Sequence, residues 1–317
     1  MKAGVNPDVT QSLDTPADTR NHKSIEVVPT ACALAAEILC EDVKRLSDET
    51  MTEIRNAWLS NLVLLIRGQR LTDPEFIAFG RRFGDLLFGT KRPAGMKPRD
   101  ESAPEINVIS NVIENGLKLG NLGDGEALWH TDRSHQMEPL SASILYALET
   151  PSQGGDTFWA NMYLAFETLP DDVKIRIATL TIKHDADLDS AGNARADFKG
   201  TGADHPIVRT HPETGHSALY LGRRTNSKIN GLPQKESDEL LDFLWAHATQ
   251  QEFVWRHQWR VGDLVVWDNR CTNHYREAFD PNSRRILHRL QAKGTRPFTA
   301  PDALTRPRHS RGIRVTA

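Results

Sequence analysis

Leu128-Trp129-His130-Thr131-Asp132 is the stretch from which the rest of the chain is best read. It places a histidine and an aspartate two residues apart at the end of an apolar run. In a strand or its exit, residues i and i+2 point to the same side, so His130 and Asp132 can reach one ion together. Far downstream lies Trp267-Asp268-Asn269-Arg270-Cys271-Thr272-Asn273-His274, followed by Arg285 and Arg289 at +11 and +15 from His274. Two histidines and a carboxylate are the ligand set that holds Fe(II) on one face and leaves the other open. The same residue types also serve tetrahedral zinc, so the triplet alone does not choose the metal. Nor does spacing choose the third ligand. The chain has 12 histidines, and His184, His205, His211 and His257 compete with His274.

Working outward, the 317 residues suffice for one large domain or two modest ones. Hydrophobic residues make up 38% and charged residues 26%, as in ordinary globular chains. A net charge of −3 gives no basic field for nucleic acid or anionic membrane. No apolar run is long enough to span a bilayer. The polar stretch Met1 to Lys23 lacks a signal-peptide core, which places the chain in the cytoplasm. Cys32, Cys40 and Cys271 form neither a disulfide framework nor a zinc motif. The first two read as small core residues.

Residues 1–23 show no apolar period and read as a mobile tail, 24–300 as a single domain, and 301–317 as a basic C-terminal tail. Ser47-Asp48-Glu49 caps a helix that turns Met51, Ile54, Ala57 and Trp58 inward. Leu62 to Ile66 reads as a buried strand. Asp73-Pro74 opens a second helix carrying Phe76, Ile77, Phe79 and Phe83, with Gly84 as its stop. The segments 86–104 and 185–204 read as long polar loops, the first a candidate lid. Pro170 opens a helix expected to run through Leu180, and Glu236 to Ala248 is amphipathic. Strands are expected at 106–109, 141–148, 157–159, 207–210, 218–221, 253–259, 263–267 and 285–292. Short strands without βαβ alternation point to a mainly β fold with flanking helices, a sandwich or jelly roll. Trp255, Trp259 and Trp267 read as core.

The strings around the triplet go further. W-H-T-D at 129–132, G-G-D-T at 154–157, H-P-I-V-R-T-H-P-E-T-G at 205–215, W-D-N-R-x-T-x-H at 267–274 and R-R-I-L-H-R at 284–289 occur in one order. Over roughly residues 25–298 the chain resembles the taurine dioxygenase/TfdA-like family of Fe(II)- and 2-oxoglutarate-dependent dioxygenases. The resemblance implies a double-stranded β-helix (jelly roll) core. It makes His130, Asp132 and His274 the metal ligands and catalytic centre. Thr157 and Arg285 become the residues for the distal carboxylate of 2-oxoglutarate, and Arg289 a second arginine near cosubstrate and substrate. His205 and His211 take structural roles. A guanidinium suits a carboxylate because its fork grips both oxygens. Without the resemblance Arg284, Arg285 and Arg289 would read as a basic strand edge; with it, strand alternation puts Arg285 and Arg289 on one face and turns Arg284 away.

The implied reaction hydroxylates a small organic substrate with Fe(II), 2-oxoglutarate and O2, releasing succinate and CO2. If the hydroxylated carbon bears a heteroatom, a C–O or C–S bond then breaks. Because Asp132 is present, hydroxylation or desaturation is expected rather than halogenation. The segment Asp85 to Arg92 has no histidine, which argues against taurine as substrate. An apolar body with a carboxylate, sulfonate or sulfate head fits better, anchored by Arg289 with Lys91 or Arg92. A homo-oligomer is expected. Two other readings stand beside this one: a zinc hydrolase or isomerase on a similar sandwich, and a non-catalytic binding homologue. The first gives Thr157 and Arg285 no task; against the second, degeneration usually removes a ligand and none is missing here.

Overall fold

The computed structural model describes residues 1, 25–89, 92, 94–125, 127–185 and 202–305. The expected N-terminal tail, Lys91, nearly all of the 185–204 loop and the end of the C-terminal tail lie outside these. In chain order the strands are β1 (Glu26–Pro29), β2 (Ala36–Leu39), β3 (Val63–Ile66), β4 (Asn107–Ser110), β5 (Ile113–Glu114), β6 (Leu117–Lys118), β7 (Asn121–Leu122), β8 (Ala127–His130), β9 (Ala142–Glu149) and β10 (Thr157–Asn161). They continue as β11 (Thr181–His184), β12 (Ala203–Pro206), β13 (Val208–Thr210), β14 (Ser217–Leu219), β15 (Lys228–Ile229), β16 (Val254–His257), β17 (Leu264–Asp268), β18 (Thr272–Arg276) and β19 (Ile286–Gln291). The α-helices are α1 (Asp48–Asn61), α2 (Asp73–Arg81), α3 (Met162–Glu167), α4 (Asp171–Ile177) and α5 (Gln234–Ala248).

Eight strands form the larger sheet in the order β1-β2-β3-β17-β9-β19-β4-β7, and four form the smaller in the order β16-β10-β18-β8. The central strands of the large sheet are apolar on both faces because both are covered. Val63-Leu64-Leu65-Ile66 and Leu264-Val265-Val266-Trp267 show this alternation. Leu65, Val265, Leu145 and Leu287 belong to one core cluster with Trp159, Ala160 and Trp255 of the small sheet. Leu64, Ile66, Ile144, Val266 and Leu290 belong to a second cluster with Trp58 of α1 and Phe76 of α2. The chain is a jelly roll backed by helices, as its pattern of short strands implied.

Local chemistry explains the helices. The Ser47 hydroxyl accepts the Thr50 N–H at the start of α1, and Met51, Ile54, Ala57 and Trp58 are buried. Glu75 accepts the Thr72 N–H at the start of α2, with Pro74 in its first turn. Several expectations need correction. The helix opened by Pro170 stops at Ile177, since Thr181 is already in β11. Helix α3 was not anticipated; the Asn161 side chain caps it by accepting from Tyr163 and Leu164 N–H. Cys32 is exposed and so is not a core residue; Cys40 is half-buried and packs against the second core cluster, and Cys271 is buried. The expected C-terminal tail is packed at its start. Ser217 Oγ donates to Ala303 O at 2.7 Å, and Ala303 is buried. Among the described residues no helix is long and apolar enough to cross a membrane.

Candidate active site

Strands β8 and β18 pair antiparallel with His130 opposite His274, and a register shift follows between His274 and Arg276. β8 ends at His130, and the chain turns through Asp132 and Arg133, the latter at φ 52°. This brings one ligand atom each from His130, Asp132 and His274 within 4.8 Å of one another, all three residues buried. His130 Nε2 lies 3.7 Å from Asp132 Oδ1. His130 Nδ1 is 2.6 Å from Leu128 O, a contact that assigns the proton to Nδ1 and leaves Nε2 its lone pair.

Asp132 is held as a carboxylate. Burial alone would raise its pKa, but Arg289 first, then His274, His130 and Ser143, hold it well below the usual range. Its outer oxygen accepts from Ser143 Oγ at 2.8 Å. Ser143 Oγ accepts from Asn269 Nδ2 at 2.8 Å, and Asn269 Oδ1 accepts from Trp267 Nε1 at 3.1 Å. The Asp132 carboxylate is thus aimed by a chain of three side chains. Burial pushes both imidazoles toward the neutral form that a metal requires.

Thr157 opens β10 and sits opposite Arg276 of β18. Trp259 Nε1 donates to its hydroxyl oxygen at 2.9 Å, leaving the hydroxyl hydrogen free to donate elsewhere. Arg285 is only 1% exposed. Its guanidinium lies between the Trp259 ring (5.9 Å) and the Phe279 ring (5.8 Å). It makes one long bond, 3.4 Å to Gly155 O, and its Nε has no partner. No carboxylate pairs with it among the described residues. Burial, and then the nearby Arg276 charge, disfavour its positive form. Gly155, at φ 70°, admits this approach, since an added Cβ would stand 3.3 Å from Arg285 Nε. Arg284 points away into ion pairs with Glu149 and Glu114, as strand alternation required. Arg289 Nη1 is 3.4 Å from Asp132 Oδ1 and remains partly exposed.

Of the competing histidines, His211 and His205 are engaged elsewhere. His211 Nδ1 accepts from Glu213 and Thr214 N–H, and its Nε2 faces Asp268 at 3.0 Å. Both nitrogens are used, so the neighbouring His211, Asp268 and Cys271 offer no open metal set. Asp268 is instead gripped by Arg270 through two bonds, of 2.8 and 2.6 Å. His205 Nε2 meets Gln136 O at 2.8 Å. His184 packs where a Cβ on Gly222 would fall 1.8 Å from its Nδ1. Arg92 is not placed as an anchor: it donates to Lys97 O and Leu119 O.

Sequence reasoning missed Ser143, Asn269, Trp259 and Arg276. Arg276 donates to the carbonyls of Leu122, Gly123 and Gly125, the segment that leads into β8. Asn269 at least lay inside the W-D-N-R string; the others carry no local signal.

The chain is similar to known proteins in both sequence and fold. Residues 26–291 match the family described as taurine catabolism dioxygenase TauD, TfdA family. Pentalenolactone F synthase of Streptomyces arenae is 34% identical over 259 residues, covering 76% of this chain and 85% of the relative. The alpha-ketoglutarate-dependent 2,4-dichlorophenoxyacetate dioxygenase of Burkholderia sp. (strain RASC) is 35% identical over 272 residues, covering 81% and 90%. A crystal structure of a putative alpha-ketoglutarate-dependent taurine dioxygenase from Burkholderia xenovorans superposes with a TM-score of 0.73 at 33% identity, covering 88% of this chain and 92% of that one.

Proposed function

The chain belongs to the TauD/TfdA family and is an alpha-ketoglutarate-dependent dioxygenase; from that premise we propose that His130, Asp132 and His274 hold Fe(II) and that the substrate is a small organic anion. Alpha-ketoglutarate is 2-oxoglutarate. Thr157 and Arg285 receive its distal carboxylate, and Arg289 stands where a substrate's acid group enters. When bound, the metal supplies the reduction of O2 coupled to oxidative decarboxylation of 2-oxoglutarate to succinate and CO2, with hydroxylation of the substrate. The protein's part is to orient and to exclude water. The Ser143–Asn269–Trp267 chain fixes the ligand carboxylate. Trp259 fixes the Thr157 hydroxyl.

One observation carries the reading: a fully buried Arg285 guanidinium without a carboxylate partner among the described residues, over the Trp259 ring whose N–H holds Thr157 of β10, the strand paired with the one that carries His274. A buried unpaired cation is costly, and a carboxylate that binds there repays that cost. A zinc hydrolase would use the three ligands but leave this cation without a purpose. The phenoxyacetate named for one relative supports an anionic substrate. The same proposal includes a cytoplasmic location and a homo-oligomer, the latter checked by light scattering. Its test is a panel of aryloxy acids, alkyl sulfates and sulfonates scored by substrate-stimulated succinate release. Stimulation by neutral compounds alone would overturn the anionic assignment.

A further inference from the structure

We propose that His257 and Asp263 are positioning residues for 2-oxoglutarate: together they set the Trp259 indole that serves both Thr157 and Arg285. This rests on the dioxygenase reading above. Trp259 gives two of its surfaces to the cosubstrate receiver. Its N–H donates to Thr157 Oγ1 at 2.9 Å, and the Arg285 guanidinium lies 5.9 Å from its ring. Both contacts depend on how the indole is turned. Yet β16 ends at His257, so Trp259 lies beyond the sheet ladder, in the short link 258–263 that leads to β17. Asp263 is the hub of that link. Its buried carboxylate accepts the Arg260 N–H at 2.9 Å, and Arg67 Nη1 donates to both of its oxygens, at 3.2 and 3.0 Å. The Asp263 N–H donates in return to Arg260 O at 3.0 Å. The link is thus folded back on itself, with Gly262 at φ 86° in its turn. The same carboxylate faces His257 Nε2 at 3.0 Å.

His257 carries this hold to the indole. In the pairing of β10 with β16 it stands directly opposite Thr157, and paired residues turn their side chains to one face of the sheet. Its buried ring lies 4.7 Å from the Trp259 ring at 80°, edge to face, and 5.3 Å from the Trp255 ring at 27°. Edge-to-face aromatic contacts prefer a defined angle. An indole set against a ring that is itself tied to Asp263 therefore keeps its N–H aimed at Thr157. Burial, opposed by Asp263, holds the imidazole toward its neutral form, so this support adds no second cation beside Arg285.

The experiment measures binding without turnover. Full-length wild type, His257→Leu, His257→Gln, Asp263→Asn, Trp259→Phe and the double variant of His257→Leu with Trp259→Phe are loaded with Zn(II). Each is titrated calorimetrically with N-oxalylglycine, an unreactive mimic of 2-oxoglutarate, and its Zn(II) affinity is read by competition with a chelator. Each exchange at 257 or 263 should weaken N-oxalylglycine by about 3- to 10-fold, the size of one misaligned hydrogen bond, while Zn(II) affinity stays within about twofold. Because His257 acts through Trp259, His257→Leu should cost less than about twofold more when added to Trp259→Phe. The inference is overturned if all the variants at 257 and 263 bind N-oxalylglycine as wild type does, if Zn(II) affinity falls in step with it, or if the losses of His257→Leu and Trp259→Phe multiply in full. Failure of the dioxygenase reading looks different: wild type would then bind no N-oxalylglycine, and with Fe(II) it would form no succinate from 2-oxoglutarate.

Discussion

Replacing Arg285 by Met tests the cosubstrate pocket through two effects of opposite sign. In the free protein the guanidinium is 1% exposed, makes one long bond to Gly155 O, and meets no carboxylate among the described residues. An isolated buried charge costs several kcal/mol even after relaxation. A methionine of similar length fills the space between Trp259 and Phe279 without that cost. Free Arg285→Met should therefore melt no lower than wild type, and higher if the desolvation cost is recovered in full. Binding should change the other way. Removing one member of a buried, hydrogen-bonded charge pair costs about 2–5 kcal/mol, which is about 30- to 4000-fold in the Kd for 2-oxoglutarate. Wild type with Mn(II) and 2-oxoglutarate at about 100 times its Kd gains roughly 2.7 kcal/mol, a rise of roughly 4 °C in Tm for a chain of this size. The variant should lose that rise. The assay is a thermal melt with and without 2-oxoglutarate, paired with calorimetric titration. A variant that keeps the full rise, or whose free form melts far below wild type, would refute the assignment of Arg285 as an unpaired carboxylate receiver.

Other outcomes follow from the same geometry. Ser143→Ala frees the outer oxygen of Asp132 and should weaken metal binding by about 10- to 100-fold, read by competition with a chelator; unchanged affinity would dismiss the Ser143–Asn269 chain as incidental. Trp259→Phe removes the donor to Thr157 Oγ1 and should raise the KM for 2-oxoglutarate by about 5- to 10-fold, from a bond worth about 1 kcal/mol, with little change in kcat. Asp268→Asn removes the bidentate partner of the buried Arg270, leaving it only the half-buried Glu213, and should destabilise the fold by about 2–4 kcal/mol in denaturant titration. Burial lowers the pKa of His184, His205 and His211, so between those values and about 6.5 the unfolded chain binds more protons than the folded one. Stability should therefore fall as pH drops below about 6.5; a Tm that is flat or rises from pH 7 to 5 would contradict this.

The readable part of the site was the part whose chemistry demands fixed residue types at short spacing. His130 and Asp132 lie two apart, and once the resemblance makes Arg285 and Arg289 site residues, strand parity turns Arg284 away. Ser143 could not be read, because its bond to Asn269 joins β9 to the turn after β17, 126 residues away in the chain. Trp259 looked like core, and its ring is buried, yet its N–H serves Thr157. Periodicity reports burial and says nothing of where the polar edge of an indole goes. Helix α3 was hidden for a related reason. Met162-Tyr163-Leu164-Ala165-Phe166 is apolar throughout and buried on all sides, so its period gives no sign of helix or strand, and only the Asn161 cap marks it. Cys32 was misplaced because residue type predicts burial only on average.

The central claim is that His130, Asp132, His274, Thr157 and Arg285 together form an iron- and 2-oxoglutarate-dependent oxidising site. It is tested most directly by following radiolabelled 2-oxoglutarate in the purified protein with Fe(II) and oxygen. The account predicts labelled CO2 and succinate in equal amounts, oxygen consumed in step, and loss of both products in Asp132→Ala and in Zn(II)-loaded protein. Release of CO2 that persists in Asp132→Ala, or no succinate from wild type under any metal, would contradict it.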